Sequence, residues 1–240
     1  MLPFHIIDAR WNPYIKTSSD EFVTISARKY HYWRVTEQLQ MQYQQGELPK
    51  GFATSQAEHI NLTCLSFVEP MIEQNSVYLL IGLNDGTVWV LDTRGNYFIN
   101  KTKILECPVS KITSSVARIV IEGASDTKVH SWELKKTIAD IDYDASDPNY
   151  FFAGDEQVLA LDGFPSASEY DETAAEAIFV STNGTFWLFN FLEGLTIKLK
   201  SCHSPEYPMQ SIDFKYVSPN QFQPDPSHRT ASNGGLYEFD

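Results

Sequence analysis

The chain has 240 residues, an apolar fraction of 42% and only 20% charged residues, enough apolar material to bury a substantial core and too much for a disordered segment. Its apolar runs are far shorter than a membrane-spanning helix needs, and a net charge of −13 opposes nucleic acid or anionic lipid as the main partner, because both attract basic surfaces. These bounds leave a soluble globular chain of one large domain or two small ones; the repeat that runs along it makes the expectation one domain over residues 1–240.

Met1–Arg10 has neither a basic n-region nor a continuous apolar core, and Cys64, Cys107 and Cys202 are odd in number and far apart. A reducing, cytoplasmic compartment is expected, with no disulfide framework and no metal knuckle.

In chain order, Ile6–Trp11 alternates as a strand and leads to a hairpin of Glu21–Ser26 with Tyr30–Arg34. Gln38–Gln45, with Leu39, Met41 and Tyr43 alternating among glutamines, reads as an outer strand that leaves through Gly46 and Pro49 and could contact a neighbour. Leu62–Phe67 precedes the clearest hairpin, Val77–Asp92, in which Asp85-Gly86 is expected to supply the positive φ angles of a two-residue turn. Tyr97–Ile99 follows it as a fourth strand.

Val109–Ile112 then precedes a hairpin of Arg118–Glu122 with Val129–Glu133. Ile138–Tyr143 precedes a fainter pair, Tyr150–Gly154 with Val158–Asp162. Ala177–Asn190 turns at Asn183-Gly184, Leu195–Leu199 follows it, and Ser211–Phe214 precedes a last copy in Thr230–Asp240. No helical periodicity competes; Thr173–Ala177 is at most one turn.

The repeating unit is thus an apolar run, a tight polar turn, a short strand centred on an aromatic, and a polar stop. Units end near residues 34, 92, 133, 162, 190 and 240, a mean spacing close to the roughly 40–45 residues of a four-stranded propeller blade. The expected fold is all-β, a β-propeller of WD-repeat type with about six recognisable blades, incomplete or closed by another segment.

The repeat resembles WD repeats in detail: Trp33-Arg34 and Trp132-Glu133 occupy the Trp-Asp position, Cys202-His203 the Gly-His position, and Asp85 and Asp126 the place of the structural aspartate. Residues 160–203 resemble the multi-propeller WD-repeat proteins of centrioles and cilia, of the WD repeat protein ninety type, related to the echinoderm microtubule-associated protein-like group. That resemblance implies a non-catalytic scaffold of ciliary, flagellar or centriolar microtubules. Its partners would be tubulin or axonemal and centriolar proteins within a large hetero-assembly, and its location the cytoskeleton, at an axoneme or basal body. The alternative is a cytosolic adaptor or substrate receptor that captures a short peptide on its top face.

No dinucleotide fingerprint, phosphate loop, nucleophile elbow or zinc-protease motif occurs, so no enzyme, no cofactor and no metal is expected. Asp140-Ile-Asp-Tyr-Asp144 opens like a calcium loop but has Ala145 and Phe151 where Gly and Glu belong.

The acidity is local. Residues 137–197 hold twelve acids and no Lys or Arg, leaving nineteen acids against eighteen bases elsewhere. Asp140, Asp142, Asp144, Glu169, Asp171 and Glu172 are therefore candidates for contact with a basic partner, while Trp11 and Tyr30 are candidates for a peptide-binding face. A microtubule presents an acidic outer surface, so attachment there would need specific contacts or an intermediate protein.

Overall fold

The computed structural model describes residues 5–14, 20–47, 59–68, 77–93, 97–114, 118–133, 152, 155–171, 176–199, 215–217 and 236–238. Among these residues no α-helix occurs. Four antiparallel four-stranded sheets carry the fold, each with its strands paired in chain order. The first contains β1 (Asp8–Trp11), β2 (Asp20–Ser26), β3 (Lys29–Val35) and β4 (Met41–Glu47); the second contains β5 (Leu62–Val68), β6 (Tyr78–Leu83), β7 (Thr87–Asp92) and β8 (Tyr97–Lys103). The third contains β9 (Val109–Ser114), β10 (Arg118–Gly123), β11 (Lys128–Glu133) and β12 (Glu156–Ala160). The fourth contains β13 (Pro165–Asp171), β14 (Glu176–Ser181), β15 (Phe186–Asn190) and β16 (Leu195–Leu199), and β17 (Lys215–Val217) pairs with β18 (Leu236–Glu238) in a two-stranded sheet.

The chain divides into two compact units, Met1–Ala160 and Leu161–Asp240. In the first unit the middle sheet explains the longest apolar runs. Side chains alternate across a strand, so a run without polar interruption needs cover on both faces. Leu79, Ile81 and Leu83 of β6, with Trp89 and Leu91 of β7, pack against Val23, Ile25 and Tyr30 of the first sheet. Tyr78 and Leu80, with Val88 and Val90, pack the other way against Val109, Ile112, Ile119 and Ile121 of the third. All twelve residues of β6 and β7 are buried as a result.

Polar ties add register to this packing. The Leu65 amide donates to Asp8 Oδ2 at 3.1 Å, joining β5 to β1, and the Ser66 and Ser114 hydroxyls lie 2.9 Å apart between β5 and β9. In the second unit, Ala167, Ile178, Val180, Phe186 and Leu188 form the core of the fourth sheet, and Phe191 meets Phe189 edge-on at 4.6 Å.

Both strongly signalled hairpins form, but their turns are longer than two residues. Asn84–Gly86 joins β6 to β7 by three residues and Thr182–Thr185 joins β14 to β15 by four, and in each the glycine alone has positive φ, 84° at Gly86 and 77° at Gly184. Each glycine amide returns to the residue before its turn, Gly86 to Leu83 O and Gly184 to Ser181 O. This is a type I turn closed by a left-handed residue, so one glycine suffices where a two-residue turn would also strain Asp85 or Asn183.

Three further expectations are corrected. Val158 pairs with His130 as part of β12, the last strand of the third sheet; most of Tyr150–Gly154, its expected hairpin partner, lies outside the described residues. An apolar alternation fits a third or a fourth strand of a sheet equally. Leu39 is not in the outer strand but in the turn before it, at φ 58°, with its amide bonded to Thr36 O. A strand passed over in the sequence, β13, pairs with β14 from Asp171↔Glu176 to Pro165↔Ser181. Residues 138–143 and 211–214 lie outside the described residues, as does all of 230–240 except Leu236–Glu238.

Candidate interaction surface

The first sheet has two unlike faces. Val23, Ile25, Tyr30 and Tyr32 point toward the second sheet. The intervening residues place an aromatic row on the opposite face: Trp11 of β1, Phe22 of β2, Trp33 of β3 and Tyr43 of β4 are cross-strand partners in register. Their ring centroids are 4.8, 5.6 and 5.0 Å apart in that order, with Phe22 and Trp33 parallel to within 3°. Such pairs stabilise a sheet beyond the area they bury.

The row is buried in the middle and open at both ends. Trp33 is 5% exposed, whereas Trp11 is 62% and Tyr43 63% exposed. Met41, two residues along the same face, and Leu39 in the adjoining turn are also exposed. Large apolar side chains presented on one face of a rigid sheet are what a protein-binding surface requires.

A hydrogen-bond network braces the row. Trp33 donates its indole N–H to Thr24 Oγ1 at 3.0 Å. On the other face Tyr32 donates its hydroxyl to buried Glu21, which also receives Arg34 at 2.7 Å. Burial, with the Glu21 carboxylate beside it, pushes the Tyr32 hydroxyl well above its ordinary range.

Of the two aromatic candidates, Trp11 is exposed and Tyr30 is buried. Tyr30 is 5% exposed, its ring lies over Gly46 where any Cβ would collide with it, and burial raises its hydroxyl to about 12. The alternation along β3 decides this: Tyr30 shares the inner face with Tyr32, so it belongs to the core and offers no contact. Glu169 is partly buried on β13 opposite Ile178, and Asp171 ends that strand. Asp140, Asp142, Asp144 and Glu172 lie outside the described residues, as does Cys202-His203.

Polar centres that the sequence did not announce occur elsewhere. In the fourth sheet Asp162 accepts the hydroxyls of Ser181 and Thr185, both at 2.7 Å, and the Lys198 ammonium at 2.9 Å. Desolvation opposes its ionisation, but the Ser181, Lys198 and Thr185 donors outweigh it and hold the carboxyl well below the usual carboxylate range. Lys198 in turn lies over the Trp187 ring, 4.9 Å from its centroid.

In the third sheet His130 bridges Glu156 at 2.7 Å and Asp126 at 3.4 Å and stacks on Trp132. Its two ring nitrogens face different carboxylates, so this is a strut between strands; among the described residues no cluster is placed to hold a metal. Asp85 and Asp126, in the structural-aspartate positions, each accept the amide two residues on, from Thr87 and Lys128.

No family model matches the chain, and no curated protein matches it. Solved structures do. The β-propeller domain of Cps50 (Swd1) from Myceliophteria thermophila superposes with a TM-score of 0.66 at 12% identity, over 88% of this chain and 63% of that one. The polycomb repressive complex 2 of Chaetomium thermophilum contains a chain matched at TM-score 0.58 and 13% identity, over 77% of this chain and 36% of that one. The computationally designed Ika8 protein matches at 0.52 and 15%, over 88% and 53%. This chain thus spans less than two thirds of each. The fold is that of a WD-repeat β-propeller, and at these identities the likeness concerns fold alone.

Proposed function

We propose that this chain is a non-catalytic interaction scaffold of ciliary, flagellar or centriolar microtubule assemblies. The observation that carries the scaffold part is the aromatic row of the first sheet, braced inside by Trp33 and Thr24 and exposed at Trp11 and Tyr43. A rigid sheet that presents large apolar side chains binds proteins without any chemistry of its own. The matched polycomb repressive complex 2 is, by its name, a multi-component assembly. The ciliary part rests on the resemblance of residues 160–203 to centriolar and ciliary multi-propeller proteins.

At a net charge of −13 the chain gains nothing from the general field of an acidic microtubule, so its contacts should be specific and made largely through other axonemal proteins. Co-sedimentation tests this. Purified chain is expected to pellet with detergent-extracted axonemes at elevated salt and to stay in the supernatant with microtubules of pure tubulin. Failure to pellet with axonemes would remove the microtubule reading and favour the cytosolic adaptor.

A further inference from the structure

We infer that β4 is a self-association edge, which pairs antiparallel with β4 of a second copy of this chain. The two first sheets then become one continuous eight-stranded sheet across a two-fold axis. This deepens the scaffold reading and rests on the same sheet, but it concerns purified chain in solution and stands or falls independently of any cellular location.

The backbone supplies the opportunity. β4 ends the order β1-β2-β3-β4, and among the described residues its only strand partner is β3. The other side of the strand offers a row of amides and carbonyls to an incoming strand.

The side chains supply the permission. Exposed edges are ordinarily guarded by lysine, proline or brevity. Of the other final strands, β8 carries Lys101 and Lys103, β16 carries Lys198, and β12 is five residues long and follows Asp155 with Glu156. β4 is seven residues, Met41-Gln-Tyr-Gln-Gln-Gly-Glu47, without lysine, arginine or proline, and its one charge sits at its end.

Electrostatics and shape select a second copy as the occupant. A chain at −13 repels itself wherever its acids face one another, so self-contact must be made where the surface is neutral, as β4 is from Met41 to Gly46. Antiparallel pairing about Tyr43 sets Gln42 against Gln44 and Met41 against Gln45, and places Tyr43 beside its own symmetry mate. The aromatic row that ends at an exposed Tyr43 would then run on into the partner's row, and Met41 and Tyr43 would lose their exposure.

Sedimentation velocity of the full chain over a broad concentration series tests the edge. Wild type is expected to shift from monomer to dimer, and a Met41→Lys/Tyr43→Lys variant to remain monomeric while still unfolding in one cooperative transition. As a check independent of that variant's folding, Tyr43→Cys should form a disulfide-linked dimer under mild oxidation. Paired antiparallel residues hold their Cα atoms within disulfide reach. Leu192→Cys, exposed in the turn between β15 and β16, should cross-link no more than wild type. A wild type that stays monomeric throughout, a lysine variant that still dimerises, or equal cross-linking at both cysteines would overturn the inference; a monomer that takes up a strand from another protein falls under the first of these.

Discussion

The Trp33 indole donates to the Thr24 hydroxyl at 3.0 Å, across two neighbouring strands in the interior of the first sheet. The pair is buried on both sides, with Thr24 at 3% and Trp33 at 5% exposure. Thr24→Val keeps the shape and deletes the acceptor, stranding a buried N–H at a cost of about 1–3 kcal/mol. Thr24→Ser keeps the oxygen and should recover most of that loss. Urea unfolding of the three proteins measures it; a valine variant as stable as wild type would show that the bond carries no stability.

Asp162 gives the fourth sheet an acid-sensitive tie. Its folded carboxyl titrates below the unfolded value, so its stabilisation is complete above the ordinary carboxylate range and fades as pH falls through the folded value. Asp162→Asn is expected to lower the melting temperature at neutral pH, with the gap to wild type narrowing below about pH 4. A gap that stays constant down to strongly acid pH would dissociate the effect from the charge.

His31 acts with the same sign nearer neutrality. Burial, and secondarily Lys29, lowers its value below the ordinary 6.5, against an opposing hydrogen bond to Gln45. The unfolded chain therefore takes up a proton that the folded chain refuses, and stability present above 6.5 is lost as pH falls through the folded value. His31→Phe should flatten the melting temperature between about pH 7.5 and 5.5 relative to wild type. An unchanged slope would place the sensitivity elsewhere.

Two glycines separate backbone strain from collision. Gly86 and Gly194 both have positive φ, but a Cβ at Gly86 would strike the Leu105 carbonyl, while at Gly194 nothing lies within 4 Å. Gly194→Ala should cost only the left-handed penalty of roughly 1–2 kcal/mol. Gly86→Ala should cost clearly more, and equal losses in thermal unfolding would contradict the close approach.

What could be read from the sequence was local, and what could not was made by distant partners. Asp85-Gly86 and Asn183-Gly184 announce their hairpins because turn chemistry lies in adjacent residues, even though the loops are longer than two residues. The run Tyr78–Leu83 is legible as a strand of that hairpin, and its lack of polar interruption matches its burial on both faces. By contrast β13 is built of Pro165-Ser-Ala-Ser-Glu-Tyr-Asp171, few of which favour strands, and it is extended because β14 is there to pair with it. The role of Asp162 depends on Ser181, Thr185 and Lys198, up to thirty-six residues away. Trp11 and Tyr30 are equal candidates in the sequence, because only the direction of alternation in β3 separates an aromatic that faces solvent from one that faces the core.

Endogenous tagging in a ciliated cell, with the chain imaged against axoneme and basal-body markers, tests the central claim most directly. Enrichment along the axoneme or at the basal body, retained after detergent extraction, is the predicted result. Diffuse cytosolic signal without enrichment at either structure would contradict it.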